Sequence, residues 1–439
     1  MERRIFPSWD RTIMRYKSRM RGWGIWGIPA LYAAAAIAAG LTFPRFENRI
    51  FPELVSQLSG ATLIAICSAV ASGMIALTGF VFSLIFLMVQ FSATAYSPRL
   101  VLWMARDPVV SHALGIFTAT FLYAICAPTG IDLGVPGQVP FFSPWLVGVL
   151  LVASVGMFIA LIQRIGLLQV NRMLIFTGDQ GRKVIATTYP SLASMAPAAR
   201  PEGLRALPRT QTLIHHGRPR TVQAVDIGAL VNLARTSGGV IEVAVAVGDT
   251  VVELTPLLHV SGAREPIDER RLRNGIELGG ERTFEQDPKY AIRLLVDIAI
   301  KALSPAINDP TTAVQALDQI QDLLLRLGSG QLEIGVFCDS DGKSRLVVPF
   351  PEWDELLGLS FDEIRSCGAT STQVMRRMNA LVAELILALP EKRHPALQYW
   401  DAQLKASIAR WFADSEERLQ ASKEDRQGFG APRRHTSGD

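Results

Sequence analysis

Residues able to do chemistry are thinly spread along these 439 residues. The densest group is Ser304, Pro305, Asn308, Asp309, Pro310 and Thr311, inside the short link Ser304–Ala313. Carboxylate, amide and hydroxyl oxygens so close together could ligate a hard cation or seat an effector. The same residue types also build a rigid corner, because proline fixes φ and an Asx side chain caps free backbone N–H groups. Asp339-Ser-Asp-Gly342 echoes the opening of a calcium loop, but the later acidic ligand is missing, so a plain turn is expected. His215-His216 could hold a metal, yet no acidic or cysteine partner lies close by in sequence. The four cysteines form no CxxC pair and read as reduced structural thiols. No Walker loop, HExxH, GxSxG or strand-linked GxGxxG occurs. No catalytic residue, metal ligand or cofactor is therefore assigned, and the enzyme class is set aside.

A second pattern has physical rather than catalytic content. Ala65, Ser68, Ser72, Ala76, Gly79, Ser83, Gln90 and Thr94 recur at alternating steps of three and four residues. That spacing places small and polar groups along one side of a helix. In lipid, small residues let helices approach closely. The stripe therefore reads either as a helix-packing surface or as the lining of a pore or oligomer axis. The amide of Gln90 needs a partner or water at depth, which suits the second reading.

The helices that must carry this stripe are defined by where charge is missing. Leu54–Pro98 contains no Asp, Glu, Lys or Arg, and neither do Gly22–Pro44, Pro108–Ile131 and Leu133–Gln163. A charge at the bilayer centre costs about 2.5–3.5 kcal/mol on insertion scales, so such windows read as membrane spans. Four spans are expected, at about 24–43, 61–91, 109–127 and 144–163. The second exceeds the bilayer thickness of about 30 Å as a single helix. The alternative, two short spans folded as a hairpin inside Leu54–Pro98, lacks a dividing turn. No Asp, Glu, Lys, Arg or His sits mid-span, which argues against a proton relay but not against a passive pore. His112, at the start of the third span, reads as solvated or capping. The first apolar segment is too long for a signal h-region and is treated as retained.

Residues 1–163 carry 11 Lys or Arg against 6 Asp or Glu, whereas the remainder is nearly neutral. The overall +4 is thus an orientation signal and not a nucleic-acid footprint. Seven basic residues precede the first span, and Arg99, Arg106, Arg164 and Arg172 fall on the same side. By the positive-inside rule both termini are cytoplasmic. Residues 1–22 are then a basic cytoplasmic N-terminus and 23–165 the transmembrane domain. Residues 166–208 form a connector and linker, 209–414 a cytoplasmic α+β domain, and 415–439 a disordered polar tail.

Within the α+β part, strands are expected at Thr221–Val225, Val240–Val247 and Leu257–Val260, with a turn at Gly248-Asp249 and a helix Ile227–Ala234 capped by Asp226. Asp287-Pro288 and Asp309-Pro310 open two helices reaching about Leu303 and Leu327. A hairpin spans Gln331–Val348. Helices of about Phe361–Ser366, Thr372–Leu389 and Trp400–Ala413 form a C-terminal helical part. Val245–Leu257 resembles the hairpin of barrel-sandwich (lipoyl/biotinyl-type) domains without the modified lysine, so it implies structure only.

Several segments together resemble one bacterial family. They are Phe91-Ser-Ala-Thr-Ala-Tyr-Ser-Pro-Arg99, the Asp107-Pro start, Val225-Asp226, and the block from Glu281-Arg-Thr-Phe-Glu-Gln-Asp-Pro through Leu295 to Ala313. The chain is similar to the "domain of unknown function 2254" family of predicted membrane proteins. That resemblance implies a bacterial inner-membrane location and supplies no activity. Two functions are carried forward. One is a homo-oligomeric, channel-like protein whose cytoplasmic domain gates or assembles it. The other is a non-conducting anchor that presents a cytoplasmic sensing or binding domain.

Overall fold

The computed structural model describes residues 27–51, 56, 58–95, 108–132, 139–165, 170–193 and 207–430. The basic N-terminal run, Trp23, Trp26, Tyr96–Arg99 and Asp107 lie outside these residues. The chain divides between Gln169 and Val170 into two compact units.

The first unit holds α1 (Gly27–Ile50), α2 (Gly60–Ala95), α3 (Pro108–Asp132) and α4 (Phe142–Ile165). Each contains a window long and apolar enough to cross a membrane. α2 is one unbroken helix of 36 residues, so the hairpin alternative for Leu54–Pro98 does not hold. α3 is the central helix: 56% of its apolar window is buried, against 22% or less for the other three. α1 and α3 run parallel and very close. A Cβ on Gly40 would lie 2.7 Å from Cys126 Cβ, and one on Gly115 would lie 2.7 Å from the Tyr32 ring. Tyr32 Oη also sits 3.2 Å from His112 Nδ1, which gives that histidine a partner at the start of α3. Glycine at these positions buys the backbone approach that lipid-embedded helices use in place of a hydrophobic drive.

Two polar contacts fasten α4. Thr120 Oγ1 and Ser154 Oγ are 2.8 Å apart, linking α3 to α4. Glu47, 3% exposed, accepts from the N–H groups of Phe142 and Ser143 and from Ser143 Oγ. A carboxylate there satisfies otherwise orphaned donors at the start of α4 and complements its dipole.

The second unit opens with α5 (Val170–Ala193), which runs through the segment expected to be a connector. The expectation that 166–208 is a linker is corrected at this helix. Met173, Leu174, Thr177, Val184, Ile185 and Tyr189 are buried at helical spacing, so α5 has an apolar face and packs as a core element. The following strands are β1 (Arg209–Ile214), β2 (Arg220–Val225), β3 (Val240–Val243), β4 (Thr250–Val251), β5 (Pro256–Ser261) and β6 (Ile276–Gly279). Between them lie α6 (Ile227–Ser237) and the short α7 (Glu269–Arg273). Asp226 caps α6 by accepting from Ala229 N, and Gly238 ends it at φ 75°.

One sheet runs β1-β5-β3-β8-β7 and the other β4-β2-β6, where β7 is Val336–Cys338 and β8 is Ser344–Val347. The strand expected over Val240–Val247 stops at Val243. The chain then leaves the first sheet, pairs with β2 as β4 in the second, and returns as β5. β7 and β8 form the expected hairpin around Asp339.

The helical part comprises α8 (Pro288–Ala302), α9 (Pro310–Ser329), α10 (Trp353–Cys367), α11 (Thr372–Ala388), α12 (His394–Trp411) and α13 (Ser415–Ala421). α10 begins eight residues before the expected Phe361, and Asp354 and Glu355 occupy its first turn, where acids favour a helix start. The expected disordered tail from 415 is also corrected. α13 is capped by Asp414, and residues 422–430 continue along α11. Arg376 donates to Gln420 O and Gly428 O, and Asn379 donates to the buried Ala421 O. Polar composition suggests disorder, but the carbonyls of these residues accept hydrogen bonds from the Arg376 and Asn379 side chains of α11.

Candidate functional site

On α2 the buried side is Leu63, Cys67, Ala71, Met74 and Val81. Ser68, Ser72, Ala76, Gly79, Ser83 and Gln90 are all exposed. At about 100° per residue, these two sets centre on opposite sides of the helix. Ser68, Ser72, Ala76, Gly79 and Ser83 thus lie on the exposed side of α2, where either a packing partner or a pore axis would meet them. A Cβ on Gly79 would meet nothing within 4 Å, in contrast to Gly40 and Gly115. Ser83 returns its hydroxyl to Gly79 O at 3.0 Å, as a serine in an apolar setting must. Phe80 and Phe86, 53% and 71% exposed, flank the stripe.

The corner between α8 and α9 is closed by its own backbone. Asn308 N donates to Ser304 O at 2.9 Å and Asp309 N to Ala302 O at 2.8 Å. Asn308 takes φ 49°, a left-handed conformation that asparagine tolerates better than most residues. Asp309 accepts from Thr312 N at 3.1 Å with one oxygen and from Thr312 Oγ1 at 2.6 Å with the other. Thr311 Oγ1 accepts a long contact from Gln373 on α11. Pro305 and Asn308 are exposed, while Ser304 and Pro310 are half-buried. Both oxygens of Asp309 thus serve the cap of α9. No three His, Cys, Asp or Glu side chains gather into a metal cluster among the described residues.

The Glu281–Asp287 block is a joint. Gln286 Oε1 accepts from Val225 N, and Gln223 Nε2 donates to Glu281 O, tying the block to β2. Asp287, 2% exposed, caps α8 and accepts from Arg282 Nε at 2.9 Å and Nη2 at 2.6 Å. Burial pushes the Asp287 carboxyl up from its ordinary range, and the Arg282 guanidinium pulls against that. Gly248, φ 94°, leaves no room for a side chain: a Cβ would lie 2.5 Å from Asp287 Oδ2. The β3–β4 turn, β2 and α8 therefore meet at one charge pair.

Other polar groups were not picked out by motif. Arg182 on α5 donates to Asp322 at 2.9 Å and Gln319 at 3.1 Å on α9. Arg377, 3% exposed, donates to Asp318 at 2.8 Å. The amphipathic spacing of α5 was the signal that could have located the first; isolated arginines offer none for the second. His216 pairs with Glu253 at 2.7 Å, and His215 donates to Arg218 O, so the two histidines do not converge on one point.

A bundle of four apolar, span-length helices joined in one chain to a large folded α+β unit is the architecture of a multi-pass membrane protein. The chain belongs to the family described as "Predicted membrane protein (DUF2254)", whose model matches residues 24–384. It is similar to an uncharacterized protein of Mycobacterium tuberculosis, 25% identical over 408 residues, covering 90% of this chain and 78% of the relative. An uncharacterized protein of Mycobacterium bovis matches at the same identity and coverage. No solved structure matches.

Proposed function

We propose that the protein is a homo-oligomeric, channel-like protein of the bacterial inner membrane, with α2 at the subunit interface or the pore axis. The observation that carries this reading is the outward stripe Ser68, Ser72, Ala76, Gly79, Ser83 and Gln90, opposite the buried side of α2. Glycine, alanine and serine in lipid let another helix approach closely, and their polar atoms suit a hydrated or helix-lined surface. In this reading both termini are cytoplasmic, as the basic loops require, and the α+β unit assembles or gates the oligomer. The exchange of strands between the two small sheets over residues 240–261 supports a barrel-sandwich-like arrangement there.

The test is the purified protein in detergent and in planar bilayers. A defined oligomer that passes current, altered by Gly79→Leu or Ser83→Leu, supports the channel. A clean monomer with silent bilayers refutes it and leaves an anchor presenting its soluble unit.

A further inference from the structure

The turn between β4 and β5 exposes two aliphatic side chains, Val252 at 51% and Leu254 at 65%. Leu254 does so from φ 66°, a left-handed conformation that costs a branched L-residue free energy and would cost glycine none. The tip is rigid. Val252 N donates to Thr255 Oγ1 at 3.0 Å, and Thr255 N to Val252 O at 3.1 Å. Leu254 N donates to His215 O at 3.0 Å, pinning this turn to the neighbouring turn at 215–219.

The charged side chains around the tip are predominantly basic. Arg218 and Arg220 are exposed beside it, as are Pro219 and Pro256. Glu253 is the single acid among residues 215–220 and 252–256. It is held by His216 Nδ1 and by Gly217 N, within the tip itself. The result is an exposed aliphatic pair about a carboxylate that is held within the tip, beside two arginines, Arg218 and Arg220, on a preformed scaffold.

We propose that the Val252–Leu254 tip is a docking point for an anionic lipid surface. The aliphatic pair enters the acyl boundary while Arg218 and Arg220 meet headgroup phosphates. Apolar area plus basic charge is the combination that binds peripheral segments to anionic bilayers. The charge complementarity selects an anionic lipid surface. The proposal is independent of whether the protein conducts ions.

The experiment uses the full chain in nanodiscs containing brominated phosphatidylglycerol. A bimane label is placed at Val252→Cys, after the four native cysteines are replaced by serine or alanine. The control is a label at Asp341→Cys, on the exposed tip of the β7–β8 turn. The label at 252 should be quenched at least twofold more than the control. Quenching should fall to the control level in Leu254→Gly and in Arg218→Glu with Arg220→Glu. Leu254→Gly keeps the tip folded, because glycine suits φ 66°. Its melting temperature should be no lower than that of the parent, so a loss of quenching there is not a loss of fold. Equal quenching at both labels overturns the proposal. Quenching that survives both sets of substitutions does so as well. A label untouched by lipid but shifted by a second copy of the chain assigns the tip to a protein contact and likewise overturns it.

Discussion

Asp309 and Asp339 show what single side chains accomplish in this molecule. Asp309→Ala removes both bonds that close the start of α9, and a lost cap of this kind costs about 1 kcal/mol. Thermal unfolding in detergent measures it. A loss of that size with unchanged oligomer and current marks the corner as structural, whereas altered gating at unchanged stability would mark an effector site. Asp339 sits 2.7 Å from Arg345 and accepts from the N–H groups of Asp341 and Lys343. Burial works against its charged form, but these donors prevail and hold its carboxyl below the ordinary range. A carboxyl depressed in the folded state stabilises above its unfolded value of about 3.9, and the contribution fades as pH falls through the folded value. The stability deficit of Asp339→Asn should therefore be full at pH 7 and shrink toward pH 3, as unfolding curves at the two pH values will register.

Elements differ in how much of them could be read from the chain alone. α8 and α9 were legible at both ends because Asp-Pro starts and apolar spacing are local signals. The four apolar helices were legible because lipid imposes its demand on every residue of a span. The stripe on α2 was legible too, but the direction it faces was not, since a helix wheel does not say which side a neighbour takes. α5 carries an amphipathic spacing that marks it as a helix, but what it packs against depends on a side chain that is missing. A Cβ on Gly181 would lie 2.8 Å from Leu323 and 2.9 Å from Ala291, so α5 rests directly on α8 and α9. Gly181→Leu should cost roughly 1–3 kcal/mol, the range for overpacked cores. Hydrogen exchange should show the loss spreading along α5 and α9 together. Unchanged protection in both helices would contradict that packing.

Across the whole molecule, the second unit extends beyond residue 384, where the family match ends, through α12 and α13 to residue 430. Removing Asp414–Asp439 strips Arg376 of its acceptors at Gln420 and Gly428, Asn379 of Ala421 O, and Glu384 of Arg426. With net values near 1 kcal/mol for a hydrogen bond, the truncated chain should be less stable by about 2–3 kcal/mol. A melting temperature unchanged by the truncation would return the segment to the status of a loose tail.

The half-buried Gly248 carries a genetic consequence. Its codon is one base change from alanine, the mildest replacement in most settings, yet the added methyl group would have to displace Arg282 and Asp287 together. A saturation screen read by folding reporters should find alanine depleted there, while bulkier residues pass at Gly79. Tolerance in this gene will therefore follow free volume beside the backbone more closely than solvent exposure.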